Sequence, residues 1–325
     1  MDSNNPGYGY CENIGDGRGF TSGYVGFTSG TDDAYSLIKN YTTQMPDNAL
    51  SAFIQPLATI SSLSICDTAG RNNTAQLSGY CGAWQTEACH SDSAFRNLEI
   101  AFATDMYLIP STRFAALVGI TTNLGKAIFY DTIIQHGWRY VEPKINIWRI
   151  INLTGAMLAN ESEATYLTRF LTTRRQLQCC YPYVPPLYRI EFLSLSLTSH
   201  FPLLRDNVWP FSADRSSDLM SLVNDWTANK DLANPVFLAK AAVTVTGNED
   251  TNSDKTNCNG KSSTASLLTA GSARAIITAN VWLLVDAMRH GLSCGVDLWA
   301  TRVQDVCIER RHSFPKHEDI GCLDI

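Results

Sequence analysis

Apolar residues recur at helical spacing through most of the first 180 positions, interrupted by short polar or glycine-rich intervals, so the pattern predicts a chain built mainly of helices. Asp33 to Tyr41 and Asp47 to Ile60 read as helices, with Asp32 or Asp47 available as N-caps. Asn72 to His90 is polar, rich in small residues and expected to be loop. Helical spacing returns with Ala94, Phe95, Leu98 and Phe102, and Pro110 is expected to separate that helix from a longer one. The longer one, Thr112 to His136 with Gly137 as its stop, is the candidate central helix, and Ser162 to Gln178 forms another. Beyond Pro210 the composition shifts. Ser216 to Thr246 reads as two helices, Gly247 to Ser266 as a polar linker, and Ala273 to His290 as one further helix before a cysteine-containing tail.

The 325 residues, 45% hydrophobic and 17% charged, can bury a substantial core. A net charge of −6 with scattered Lys and Arg gives no sign of nucleic-acid binding. Ten cysteines and glycosylation sequons at Asn40, Asn72, Asn152 and Asn160 lean towards an oxidising, extracellular setting, although Met1 to Pro6 is polar and carries no signal-peptide h-region. Cys81 and Cys89 are close enough in sequence for a local disulfide. The apolar stretch Ala275 to Leu292 contains Asp286 and Arg289, against a membrane span. Cys307, His312, His317 and Cys322 lack the close cysteine pairs of structural zinc sites, and no metal is expected. Serine-nucleophile elbows, P-loops and dinucleotide fingerprints do not occur.

The candidate chemistry lies between Tyr10 and Asp33. Glycines at 15, 17 and 19 alternate with Asp16 and Arg18, so the backbone can turn sharply while a ligand approaches both charged side chains. Glu12 supplies a second acid nearby. The plainer reading is a glycine-rich surface turn with an Asp–Arg pair.

Ile14 to Thr21 reads Ile-Gly-Asp-Gly-Arg-Gly-Phe-Thr, and Gly26 to Asp33 reads Gly-Phe-Thr-Ser-Gly-Thr-Asp-Asp. In these runs the chain resembles the chitosanases of glycoside hydrolase family 46, and the resemblance continues more weakly through Phe129 to Gly137, Thr165 to Arg174 and Arg189. It implies an α+β, mainly helical, lysozyme-like fold of two lobes with the substrate cleft between them. The implied activity is endo-hydrolysis of β-1,4 bonds in chitosan with inversion, a reaction that needs two carboxyl groups about 6.5–9.5 Å apart. By the same resemblance Asp16 is the general base and Thr21 holds the attacking water. Glu12, Arg18 and Asp33 lie along the sugar cleft, Asp33 able to pair with a glucosamine ammonium. His136 is a further cleft candidate, although a helix-end histidine bonding to carbonyls is the ordinary alternative.

Helical periodicity adds a point of its own. Asp131 shares a face with Leu124, Ala127, Ile128 and Ile134, and Arg174 shares one with Leu167, Phe170, Leu171 and Leu177. Isolated buried charges are prohibitively costly, so these two are expected to meet. The resemblance adds Arg189 to this ion network and gives it the task of holding Asp16 charged. It also places the general-acid Glu upstream of Met1, and puts Tyr181 and Pro185 where some relatives carry sugar-binding acids. The expectation is therefore a catalytic domain over residues 1–210, N-terminally incomplete, with an extension of unknown role over 211–325 containing the linker 247–266. The expected protein is an extracellular monomeric glycoside hydrolase acting on chitosan or chito-oligosaccharides, without cofactor. As given the chain can lack activity for want of the acid, and the alternative is a non-catalytic chitosan binder.

Overall fold

A computed structural model describes residues 7–65, 67–138, 145–180, 209–240 and 242–245. It is a mainly helical α+β structure in two lobes. Three two-residue strands, β1 (Cys11–Glu12), β2 (Thr21–Ser22) and β3 (Phe27–Thr28), form an antiparallel sheet in the order β1-β2-β3. Helices α1 (Asp33–Gln44), α2 (Ile54–Ser61), α3 (Thr68–Arg71), α4 (Tyr80–Ala88) and α5 (Ala94–Ala103) pack around it. The second lobe consists of α6 (Ile109–Leu117), α7 (Asn123–His136), α8 (Ile147–Thr154), α9 (Glu163–Cys180), α10 (Trp209–Asn224) and α11 (Trp226–Asn229). A hairpin of β4 (Val236–Leu238) and β5 (Val243–Val245) comes after α11.

The first lobe is held by aromatic packing. Trp84, fully buried, lies 5.0 Å from Phe95 and 5.9 Å from Tyr80 between ring centroids, and its indole N–H donates to the Tyr8 carbonyl at 2.8 Å. Burying rings of this size contributes about 2–3 kcal/mol each, and the indole keeps its hydrogen bond. Cys11 is bonded to Cys81, which ties β1 to α4 across 70 positions of sequence. In the second lobe α7 is buried nearly all round, with ten of its fourteen residues inside, and Phe129 stacks on Phe170 of α9 at 4.6 Å.

Several expectations are corrected. The interval 72–90 is not all loop, because Tyr80, Trp84 and Ala88 fall at four-residue steps and bury one face of α4. The Thr112–His136 helix is two helices. The chain turns between them at Gly119, whose φ of +88° is open to glycine, and Thr122 starts α7 by accepting the Gly125 N–H on its side chain. Pro110 does not break the helical path after α5. A π-turn over Thr104–Leu108 carries that path into α6, where Pro110 sits in the first turn and its missing N–H costs least. Of the two helices expected in 216–246, the first is the end of α10 and the second is replaced by the short α11 and the hairpin. Cys81 pairs with Cys11 rather than with Cys89, which is disulfide-bonded elsewhere. Asp32 stands at the N-cap of α1 without capping it, its carboxylate accepting the Ser36 and Ser61 hydroxyls, each at 2.5 Å.

The boundary placed at residue 210 falls in the first turn of α10, a helix that packs along α9 and against α7. The linker 247–266, the helix 273–290, Tyr181, Pro185, Arg189 and the cysteines and histidines of the tail lie outside the described residues.

Candidate active site

The glycine-rich run forms the β1–β2 loop and the turn beyond it. Gly15, Gly17 and Gly19 have φ of +73°, +83° and +75°, left-handed values that side chains rarely adopt, and open space surrounds Gly15 and Gly17 on either side of Asp16. The Asp16 carboxylate accepts the Arg18 backbone N–H at 3.0 Å, closing a tight turn that presents a half-buried acid. Gly19 is the tight point, because a Cβ there would run into the Ser29 hydroxyl. The loop is fastened from outside by α3. Arg71 donates to the carbonyls of Gly30, Ser61, Leu63 and Ser64 at 2.6–3.2 Å, and the Asn72 side chain accepts the Gly19 N–H at 3.0 Å.

Sheet register aligns the other candidates. Glu12 is opposite Thr21, and Thr21 is opposite Thr28, so the three form a row across the sheet. The row continues to Asp33, which accepts the Thr28 N–H at 3.1 Å. Thr21 is 4% exposed and its hydroxyl has no hydrogen-bond partner among the described residues. A buried hydroxyl in that state costs about 1–3 kcal/mol unless water or ligand satisfies it. Tyr10 donates to Glu12 at 3.2 Å, and its hydroxyl is pushed well above its usual range by burial, then by Glu12, with a smaller contribution from Asp16. Both acids therefore lie within electrostatic reach of one phenol.

Asp33 is buried at the start of α1. Its Oδ1 accepts the N–H groups of Thr28 and Ala34 and the Thr31 hydroxyl, and its Oδ2 accepts the Tyr107 hydroxyl at 2.8 Å. Burial raises its carboxyl, and these donors pull it back. Arg18 and Asp33 from the first lobe share a cavity with Tyr107, Gln135, His136 and Trp138 from the second. That cavity marks the cleft between the lobes.

Behind its wall lies the ion network. Asp131 meets Arg174 at 2.6 Å and Arg215 at 2.5 Å, with Asp131 and Arg174 fully buried and Arg215 nearly so. The face-sharing positions on α7 and α9 are thus brought together, and α10 supplies a second arginine that sequence reasoning did not assign. The missed signal is the same in kind, since Arg215 shares a helical face with Leu219 and Leu222, both buried. Arg174 also donates to the Thr132 hydroxyl at 3.1 Å, to Gln135 and to Nε2 of His136 at 3.2 Å, and burial brings its guanidinium down to about 10, still charged at neutral pH. Tyr107 and Trp138 were also missed. Nothing in the pattern marks them, because their place in the cleft depends on the π-turn and on the chain beyond Gly137.

His136 does not serve as a mere cap. It is buried, accepts from Arg174, and is held well below its usual 6.5 by burial and then by Arg174, Arg18 and Arg215. The folded protein keeps it neutral where the unfolded chain takes up a proton. As pH falls below about 6.5 the unfolded state is favoured by up to about 1.4 kcal/mol per unit. Glu99 and Asp33, whose carboxyls burial raises, contribute the opposite slope, so the readout is a difference. His136→Gln is expected to lose less stability than the parent between pH 7 and 5 in urea unfolding, and parallel curves would overturn this.

Residues 2–179 match the family model described as Glycosyl hydrolase family 46. The chitosanase of Bacillus subtilis strain 168 is 35% identical over 130 residues, 40% of this chain and 44% of that protein. The chitosanase of Streptomyces sp. strain N174 is 30% identical over 174 residues, 52% of this chain and 58% of that protein. The chain thus spans about half the length of the curated relatives it matches. Among solved structures, the family 46 chitosanase of Gynuella sunshinyii in complex with chitotetraose is similar with a TM-score of 0.56 and 26% identity, over 73% of this chain and 87% of that one. The native chitosanase of Bacillus subtilis MY002 has a TM-score of 0.55 at 24% identity, over 71% and 85%, a likeness of fold.

Proposed function

Because the chain belongs to glycosyl hydrolase family 46, we propose that it cleaves internal β-1,4 bonds of chitosan with inversion at the anomeric carbon. The observation that carries this reading is the turn around Asp16, an acid set between two left-handed glycines with open space on both sides. Asp16 accepts a proton from water. The water oxygen attacks the anomeric carbon while the glycosidic bond breaks and a carboxylic acid on the opposite face protonates the leaving oxygen. Asp16 is the base of that pair, and the acid is left unassigned. Thr21 offers the water a hydroxyl that no described residue engages.

Arg18, Glu12 and Asp33 line the path of the sugar chain, and His136 contributes a neutral imidazole to the cavity wall. Oδ1 of Asp33 accepts three protein donors and Oδ2 accepts only the Tyr107 hydroxyl among the described residues, so Asp33 fixes the cavity wall and supplies field while Oδ2 keeps room for one more donor. The Asp131–Arg174 pair stiffens the helices behind that wall. The Cys11–Cys81 disulfide supports an extracellular place of action, and no helix among the described residues is long and apolar enough to cross a membrane.

Proton NMR of glucosamine hexamer with the full-length protein tests the reading. New reducing ends are expected to appear first as the α-anomer and to equilibrate afterwards. Products appearing first as the β-anomer, or an intact hexamer, would overturn it.

A further inference from the structure

We infer that Trp138 is a sugar-binding residue of the cleft, on which a glucosamine ring of the chain lies against the indole. The inference rests on the chitosan reading and adds to it a residue that no charged group in the cavity can replace.

It begins with Pro110. A residue at 110 in α-helical register would donate its N–H to the Met106 carbonyl, and proline has none to give. The chain passes this point as the π-turn Thr104–Leu108, and the Met106 carbonyl accepts the indole N–H of Trp138 at 2.6 Å instead. Tryptophan has no other polar group, so its one donor is committed to protein. Phe114, buried, packs on the same ring in an edge arrangement at 6.3 Å. The indole is thus fixed at one edge by a hydrogen bond and supported by a second ring, yet it remains half-buried and forms part of the cavity wall beside Tyr107 and His136. Arg18 and Asp33 bring charge to the same cavity without a flat surface. What Trp138 adds is rigid aromatic area with no unsatisfied hydrogen-bonding group, matched to the C–H face of a pyranose, and ordering it costs no rotamer freedom on binding.

The contact is apolar, so its loss is separable from that of charge. Calorimetric titration of the full chain with glucosamine hexamer is expected to show Trp138→Ala weakening binding about tenfold. The same ratio is expected at about 0.5 M salt, where exposed charge contributions are screened. Trp138→Phe keeps a ring and loses the N–H, and is expected to bind within about threefold of the parent. KM for the hexamer should rise in Trp138→Ala with kcat little changed. Parental affinity in a folded Trp138→Ala would overturn the inference and leave the chitosan reading standing. Equal losses in the Ala and Phe variants, matched by equal falls in melting temperature, would overturn it too, by assigning Trp138 a structural role through its N–H. A parent protein that neither binds nor cleaves the hexamer would overturn the chitosan reading itself.

Discussion

Asp16→Asn is expected to lower turnover of chitosan by about 10²–10⁴-fold, the range of a lost general base, with affinity for the hexamer little changed. The substitution is chosen because the turn survives it. Asp16 holds its loop by accepting the Arg18 N–H at 3.0 Å, and an amide oxygen can accept that bond in its place, without the added strength of the charge. The glycines on either side keep their left-handed conformation, and α3 still fastens Gly19 and Gly30 through Asn72 and Arg71. What changes is the capacity to take a proton from water. Melting temperature should stay within about 2 °C of the parent, so activity and stability separate. Turnover within twofold of the parent would remove Asp16 from the base role, and a collapse of hexamer affinity would make it a binding residue instead.

How much of this was legible in the sequence depended on whether a residue's neighbours were local. Asp131 and Arg174 could be paired in advance because each sits on an apolar helical face, where a charge without a partner is intolerable. The same logic reaches Arg215, but the resemblance fades before α10 and had already offered Arg189 for the place. The Asp16 turn was legible because glycines at 15, 17 and 19 mark left-handed backbone that other residues rarely adopt. Helix α4 was not, since Gly79, Gly82 and a polar approach outweighed the spacing of Tyr80, Trp84 and Ala88. The division between α6 and α7 hid inside an apolar run, although Gly119 and the Thr122 cap were both visible in it. Register across strands of two residues carries no signal of its own, so the row of Glu12, Thr21 and Thr28 had to come from the fold.

The ion network should dominate stability. Asp131 is the only carboxylate ion-paired with Arg174 and Arg215 among the described residues, so Asp131→Asn leaves two buried guanidinium groups without a counter-charge. The expected loss is about 3–5 kcal/mol in urea unfolding, with the m-value unchanged. Arg174→Met should cost less, because Arg215 still neutralises Asp131 through two contacts at 2.5 Å, while Gln135, Thr132 and His136 lose a donor. Arg215→Met should cost least, since the Arg215 guanidinium contacts Asp131 alone among the described members of the network and the Asp131–Arg174 pair is left intact. Replacing all three by apolar residues of similar volume is expected to recover much of the loss, as buried ion pairs contribute little over good packing. A loss below about 1 kcal/mol for Asp131→Asn would show that water reaches the arginines. The ranking also bears on residues 209–245. If Arg215→Met shifts the whole unfolding transition rather than a separate one, α10 unfolds with α7 and α9 as one cooperative body, and the boundary expected at 210 moves to the far side of the hairpin.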